Sequence, residues 1–281
     1  VDGEPPLTNP KAERVRQVHT LGTRSGRERS GQFLVEGPQA VREAVGADGV
    51  RVHALYLTQQ AHDRYSEIVR AAHDRGVPVR LGTVEVLTAM SADAQGVVAV
   101  ADQVDVSLDE ALLAVPRLVV VLAQVRDPGN AGTVLRAADA AGADLVVLTE
   151  ASVDVHNPKT VRSSAGSLFH PPVVVGVSLA ETVAVLRRHG LAVLAASGDG
   201  AYDLDDLLDG AAAPGAVDPG APDLAAPTAW VFGNEAWGLA DADRAVTDAV
   251  VRVPLHGRAE SLNLATAAAV CLYASARAQR R

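Results

Sequence analysis

Five consecutive apolar residues, Leu118-Val119-Val120-Val121-Leu122, constrain this chain more than any other stretch. A strand with one wet face alternates polar and apolar residues; this one does not alternate. It belongs inside a sheet covered on both sides, the usual setting of a parallel strand. Parallel strands need crossover connections, most often helical, and the following sequence supplies them. A helix is expected over 131–141, a strand over 145–148, a helix centred on 160–167 and a strand over 173–175. A helix over 179–189 and a strand over 191–195 come next. Residues 210–227, dominated by Ala, Pro, Gly and Asp, cannot build a core and are expected to form a flexible surface excursion. The alternation then resumes with a strand at 229–232, a helix around 240–246, a strand at 250–253 and a last helix from 262 to about 277.

A second, smaller α/β alternation precedes this one. A helix is expected over 10–20, with Asn9 as N-cap and Pro10 at its first position. The Gly-, Ser- and Arg-containing stretch 22–31 reads as an exposed, mobile loop. Strand 33–35, a turn at Glu36-Gly37-Pro38, helix 39–45, strand 52–57, helix 61–75, strand 77–80 and strand 96–101 complete it. The division is therefore an N-terminal domain at 1–103, a linker at 104–116 and a second α/β domain at 117–281, which a 281-residue chain has room for.

Composition narrows the function classes. No apolar run reaches the ~18–20 residues needed to span a membrane, and Val1 to Pro6 lacks the pattern of a secretory leader. One cysteine, Cys271, excludes an intramolecular disulfide or a multi-cysteine zinc site and fits a cytoplasmic protein; it reads as a small packing residue in an apolar helix. The histidines are scattered and no metal-ligand cluster is visible, so no metal is expected. A net charge of −9 is awkward for binding nucleic acid, but the charge is unevenly spread. Lys11, Arg14, Arg16, Arg24, Arg27 and Arg29 face only Glu13 and Glu28 in the same stretch. Between Gly198 and Leu224 seven aspartates stand without a lysine or arginine. The basic stretch is open to two readings, a solvated helix and loop or an RNA contact surface.

Three segments of the second domain put polar residues where a strand gives way to a turn or helix. In Asp127-Pro128-Gly129-Asn130-Ala131-Gly132 a helix begins directly after the buried strand, at the carboxyl end where α/β sheets bind ligands. Asn130 is either a helix cap or a site residue, and Arg136, six residues on, either a surface charge or a phosphate ligand. In Phe232-Gly233-Asn234-Glu235, Gly233 allows close backbone approach to a ligand and Glu235 stands at the strand mouth. In Val253-Pro254-Leu255 and Glu260-Ser261-Leu262-Asn263 a strand ends and the last helix starts, with Ser261 a good N-cap. Neither the dinucleotide fingerprint nor the phosphate-loop pattern occurs.

The ordered set N-x-G-x-x-x-R, F-G-N-E-x-x-G-L and V-P-L-x(5)-E-S-L-N resembles the three motifs of the SpoU (TrmH-like) branch of the SPOUT RNA methyltransferases, over about 117–278. Residues 157–169 resemble that family's segment between its first two motifs, and Phe33-Leu34-Val35-Glu36-Gly37 is similar to the substrate-binding domain ahead of many members that act on ribosomal RNA. The resemblance implies an α/β SPOUT domain with a parallel sheet and deep trefoil knot, preceded by a small ribosomal-protein-like RNA-binding domain, in a homodimer. It implies methyl transfer from S-adenosyl-L-methionine to a ribose 2′-hydroxyl, with 23S rRNA as the first expectation. A tRNA substrate, or an idle RNA-binding or ribosome-assembly role, are the alternatives. By motif position Asn130, Arg136, Glu235, Ser261 and Asn263 are the catalytic group, and backbone around Gly233, Val253 and Leu262 holds the cofactor. Ala265 departs from the second serine that many members carry.

Overall fold

The computed structural model describes residues 5–212 and 220–280. The first four residues, part of the stretch in which a leader was sought, and 213–219, within the expected surface excursion, lie outside the described residues. The described residues fall into two units, one of 5–104 with 154–170, the other of 105–153 with 171–212 and 220–280.

The first unit opens with α1 (Glu13–Thr20), α2 (Arg24–Ser30), β1 (Gln32–Glu36), α3 (Pro38–Gly46) and β2 (Val52–Leu57). It continues with α4 (Gln59–Arg64), α5 (Ser66–Asp74), β3 (Val79–Leu81), α6 (Val84–Met90) and β4 (Val97–Asp102). The strands form one sheet in the order β1-β4-β2-β3, antiparallel except for β2 and β3. On one face α1 and α6 cover Leu34, Tyr56, Val98 and Val100 with Val15, Val18, Val86 and Leu87.

Several local expectations change here. α1 starts three residues later than expected, because Asn9 uses its side chain on the Lys11 N–H (2.9 Å) in a turn of its own. The stretch read as a mobile loop is helix α2, whose first turn is capped by Thr23 through the Gly26 N–H at 3.1 Å. The expected 61–75 helix is two helices, broken where Tyr65 leaves helical geometry (φ −112°, ψ 48°). The short α6, capped by Thr83, has no counterpart among the elements expected from the sequence.

The second unit contains α7 (Leu108–Leu112), β5 (Leu118–Leu122), α8 (Pro128–Ala141), β6 (Leu145–Thr149), β7 (Val173–Val177) and α10 (Leu179–Arg188); the intervening α9 (Pro158–Ser164) belongs to the first unit. Then follow β8 (Ala192–Ala196), β9 (Tyr202–Asp203), α11 (Leu204–Ala212), β10 (Thr228–Phe232), α12 (Asp241–Ala245), β11 (Ala249–Arg252) and α13 (Leu264–Gln279). The seven strands run parallel in the order β7-β6-β5-β10-β8-β11-β9. β5 is fully buried, as its unbroken apolar run requires. Val119 and Val121 face a core completed by Ala111 and Leu112 of α7 and Val183 and Leu186 of α10. On the other face α13 packs on α8 and β10, where the indole N–H of Trp230 donates to the buried Ser275 hydroxyl at 2.9 Å. The stretch read as a linker thus holds a helix that contributes to this core. α11 likewise claims 210–212 from the expected excursion and buries Leu204 and Leu207. Burial pushes the Cys271 thiol up to about 12, which fits a packing role.

Residues 154–170 are tied to the first unit by charge and rings. Arg27, only 1% exposed, donates to Asp154 through Nε (2.9 Å) and Nη2 (2.6 Å) and to the Leu21 carbonyl through Nη1 (2.9 Å). Arg162 pairs with the buried Glu36, which also accepts from Ser91, and with Asp93 at 3.0 Å. The Phe33 ring lies 4.7 Å from His156 and 6.2 Å from Phe169. Arg27 therefore leaves the set of basic residues open to RNA.

Candidate active site

The three motif segments meet at the carboxyl ends of β5, β10 and β11, where a parallel sheet leaves its strand ends and following helix starts to a ligand. After β5 the chain turns through Gln124, held at φ 56° with its N–H on the Thr149 hydroxyl (3.2 Å). Asp127 then caps α8 by accepting from the Asn130 N–H at 2.7 Å, with Pro128 at the first helical position. Asn130 is not the cap, and its amide is free to point into the site. Asp127-Pro128 is a legible cap-then-proline signature, and it would have located the helix start.

After β10 the loop 234–238 closes on itself through paired Asn234 and Gly238 backbone bonds of 2.9 and 2.8 Å. A Cβ on Gly233 would collide with the Gly238 backbone, so the close approach that demands glycine is the loop's own return. Gly238 turns the loop at φ 69°. The buried Asn234, absent from the expected site, donates from Nδ2 to the Gln124 carbonyl at 2.8 Å and accepts from the Ala236 N–H at 2.9 Å. It clamps the β10 loop to the β5 loop.

That clamp sets Glu235 against the start of α8. Its carboxylate accepts from the backbone N–H of Asp127 (3.1 Å) and Arg126 (3.3 Å), and more distantly from Asn130 Nδ2 (3.4 Å). Asn130 Oδ1 in turn accepts from Asn263 Nδ2 at 3.1 Å. Asn263 itself caps α13, its Oδ1 accepting from the Ala265 N–H at 2.9 Å. The cap of the last helix is thus Asn263 and not Ser261, which lies exposed two residues earlier. Glu235, Asn130 and Asn263 form one polar chain contributed by three strand-end segments. Beside it the exposed Trp237 carries the Arg126 guanidinium 5.1 Å from its ring centre.

A pocket of about 320 Å³ opens next to this chain at the ends of β8, β10 and β11. Gly233, Val253 and Leu262 line it together with Ser261, Glu235 and Glu260. Its lining contains no lysine, arginine or histidine, which suits a ligand with apolar parts and positive charge. The expected cofactor residues are therefore gathered on one cavity, and Ser261 and Glu235 join them.

Arg136 stands apart. It lies on the exposed side of α8, and among the described residues it has no hydrogen-bond or ion-pair partner. Glu235 does not orient it; Glu235 braces the Asp127 turn instead. A free guanidinium on the site's helix is available to a phosphate from outside.

Comparison with known proteins identifies the family. Residues 117–273 match the family model described as the SpoU rRNA Methylase family, and residues 34–106 the one described as RNA 2′-O ribose methyltransferase substrate binding. The chain is 32% identical over 269 residues, 95% of its length and 97% of the relative's, to the 23S rRNA (guanosine(2553)-2′-O)-methyltransferase RlmP of Bacillus subtilis (strain 168). It is 32% identical over 261 residues, 92% of its length and 86% of the relative's, to the 23S rRNA (uridine(2479)-2′-O)-methyltransferase of Streptomyces viridochromogenes. Among solved structures it resembles the SpoU methyltransferase AviRb of Streptomyces viridochromogenes in complex with AdoMet (TM-score 0.78, 31% identity, 96% and 98% of the two chains). It is similar also to an AdoMet-bound rRNA methyltransferase from Sinorhizobium meliloti (TM-score 0.78, 26% identity, 97% of each chain). The strand-end motifs, the parallel sheet that presents them and the family match across both units place this chain in the SpoU rRNA methylase family.

Proposed function

We propose that this chain is an S-adenosyl-L-methionine-dependent methyltransferase that modifies a ribose 2′-hydroxyl in 23S rRNA. The observation that carries the reading is the convergence of Glu235, Asn130 and Asn263 beside the cation-free pocket of Gly233, Val253 and Leu262. That pocket fits S-adenosylmethionine, whose sulfonium meets no like charge in the lining. When bound, the cofactor supplies an electrophilic methyl group. The chain's own residues must orient a weakly acidic hydroxyl and ease the loss of its proton. Arg136 holds the phosphate next to the target ribose by charge and by the fork geometry of its guanidinium. The amides of Asn130 and Asn263 offer neutral donors and acceptors to the ribose, and Ser261 offers a hydroxyl at the pocket wall. Glu235 keeps the Asp127 turn and Asn130 in register.

The same reading includes a homodimer, for which the exposed Leu255, Val270 and Tyr273 offer apolar surface, a deep trefoil knot in the catalytic domain, and a cytoplasmic site of action. Among the described residues no helix is long and apolar enough to cross a membrane.

The test is methylation of a 23S rRNA transcript by purified protein with labelled S-adenosylmethionine, followed by primer-extension mapping of ribose methylation. Arg136→Ala is expected to lower the rate by roughly a hundredfold or more while leaving the fold and cofactor affinity intact. Full activity of that variant would sink the assigned role. Methylation confined to tRNA would change the RNA address and keep the chemistry. RNA binding without methyl transfer would overturn the enzyme reading.

A further inference from the structure

Both tryptophans of this chain stand on β10 or on the loop that follows it, and only one serves the packing. Trp230 is buried, with its indole N–H on the Ser275 hydroxyl. Trp237 is 53% exposed, and among the described residues its indole N–H has no hydrogen-bond partner. The loop that carries it closes without it. Asn234 and Gly238 pair through their backbones, and the Asn234 side chain fastens the loop to the Gln124 carbonyl. In the pattern F-G-N-E-x-x-G-L, Trp237 falls on a position left open. A single exposed apolar side chain is ordinary on a protein surface; the neighbour that Trp237 has is not.

Arg126, on the loop that leads from β5 into α8, sets its guanidinium 5.1 Å from the centre of the Trp237 ring. Among the described residues that guanidinium makes no ion pair and donates no hydrogen bond. Both side chains are exposed, yet the loops beneath them are tied together, because the Glu235 carboxylate accepts from the Arg126 N–H at 3.3 Å. A cation–π contact uses the face of a ring and leaves the guanidinium N–H groups to an acceptor from outside. Arg126 occupies one face of the indole, and half of the residue stays open to solvent. The pair thus offers a flat aromatic surface beside a fork of charged donors, and a nucleotide carries the complement of each. Asn130 is bracketed in sequence by Arg126 and Arg136, two exposed arginines that make no ion pair among the described residues.

We propose that Trp237 and Arg126 form a nucleotide clamp at the mouth of the strand-end site. The indole stacks on a base splayed out of its helix next to the target ribose, and Arg126 donates to the phosphate of that nucleotide. This rests on the reading of the chain as an RNA methyltransferase. In a regular RNA helix the nucleotides on either side of a 2′-hydroxyl are stacked and offer no free face. Holding one of them out fixes the ribose relative to the methyl group, where an ångström of misplacement is costly. Stacking on an indole tolerates any base, so the clamp selects an unstacked nucleotide and leaves base identity to other contacts. A protein partner fits less well. The loop around Trp237 adds only Ala236 and Gly238 to one ring, too little apolar surface for a stable protein contact.

The test compares the parent chain with Trp237→Phe, Trp237→Leu and Arg126→Gln on a 23S rRNA transcript. Trp237→Leu is expected to lower kcat/KM for the transcript by about tenfold or more, the loss of one stacked base. Trp237→Phe should recover most of that loss; a leucine as good as phenylalanine would make the contact mere apolar packing and overturn the clamp. Arg126→Gln should make the log–log salt slope of transcript binding shallower by about 0.7, one single-strand phosphate, and an unchanged slope removes Arg126 from it. Affinity for S-adenosylmethionine, read by calorimetry, should stay as in the parent; an equal loss there would assign Trp237 to the shape of the loop. The two indoles also report directly, since one is exposed and the other buried. Bound transcript should quench the exposed indole of the parent and leave the emission of Trp237→Phe, which retains Trp230 alone, unchanged. A parent chain whose emission is not quenched by bound transcript overturns the clamp even where a variant does not fold. A changed mass of Trp237→Leu in solution would give the indole to a second copy of the chain and overturn it as well. A parent that methylates RNA no better than these variants refutes the clamp alone. A parent that methylates no RNA refutes the enzyme reading, and the quenching still decides the clamp.

Discussion

The two cavities of this protein are made of opposite materials. The strand-end pocket of the second unit is shaped by glycine, aliphatic side chains and backbone turns, with two carboxylates, one amide and no cation in its lining. A basin of about 560 Å³ in the first unit is lined by Arg14, Arg29 and Arg80 and lacks a carboxylate. The first arrangement suits a small ligand held by fit, which requires ångström-level placement of its loops. The second presents charge round an open surface, and exposed charge weakens as salt rises.

The largest expected effect short of the Arg136→Ala rate loss comes from Arg27, which separates structural charge from solvated charge within one basic stretch. Removing it leaves Asp154 Oδ2 and the Leu21 carbonyl without their guanidinium, and Arg27→Ala should destabilise the first unit by about 3–5 kcal/mol. Arg24→Ala, which breaks an exposed i,i+4 pair, should cost less than about 1 kcal/mol. Chemical denaturation of both variants checks the contrast; equal effects would erase the distinction between the two arginines.

Gly233→Ala attacks the pocket through its backbone. Its Cβ meets the returning Gly238 chain, so the loop must shift, at a cost of about 1–3 kcal/mol. Calorimetry should show S-adenosylmethionine affinity falling, while the salt slope of RNA binding stays as in the parent. A parallel loss of both would mean that cofactor binding and RNA binding are not independent.

The smallest effect is expected from Asn263→Ala. Loss of the cap should cost about 1 kcal/mol, and loss of its bond to Asn130 should lower kcat more than it raises KM for the cofactor. A change confined to KM would assign Asn263 to the pocket and not to the ribose.

Much of the fold was legible because its signals are local and strong. The unbroken apolar run 118–122 identified a central parallel strand, and β5 sits third of seven in the sheet with every residue buried. The glycine in Phe232-Gly233-Asn234-Glu235 marked a tight approach correctly but not its partner, which is the loop itself. Asn130 and Ser261 both have the chemistry of caps, and neither is one. Asp127 and Asn263 took those positions, because a cap is chosen by where the helix actually begins, and boundaries are set by packing.

The helix Arg24–Ser30, within the stretch 22–31 expected as a loop, has the same cause. Gly and Ser carry little local preference for helix, yet α2 forms because Thr23 caps it and Arg27 is drawn into a buried ion pair 127 residues away in sequence. No periodicity could announce that pairing. Nor could it announce that 154–170, bracketed by β6 and β7, would leave the second unit to pack with the first.

What the sequence determined by itself is the α/β alternation, the three strand-end motifs and the residue types available for chemistry, since these follow from side-chain period and turn preference along the chain. Tertiary structure alone decided which of those residues meet. Glu235 bonds to the Asp127 turn, Asn263 reaches Asn130 across 133 positions, and Arg27 turns from a prospective RNA contact into a structural ion pair. Hydrogen bonds and ion pairs act over about 3 Å of space whatever the separation in sequence, so only the folded chain assigns their partners.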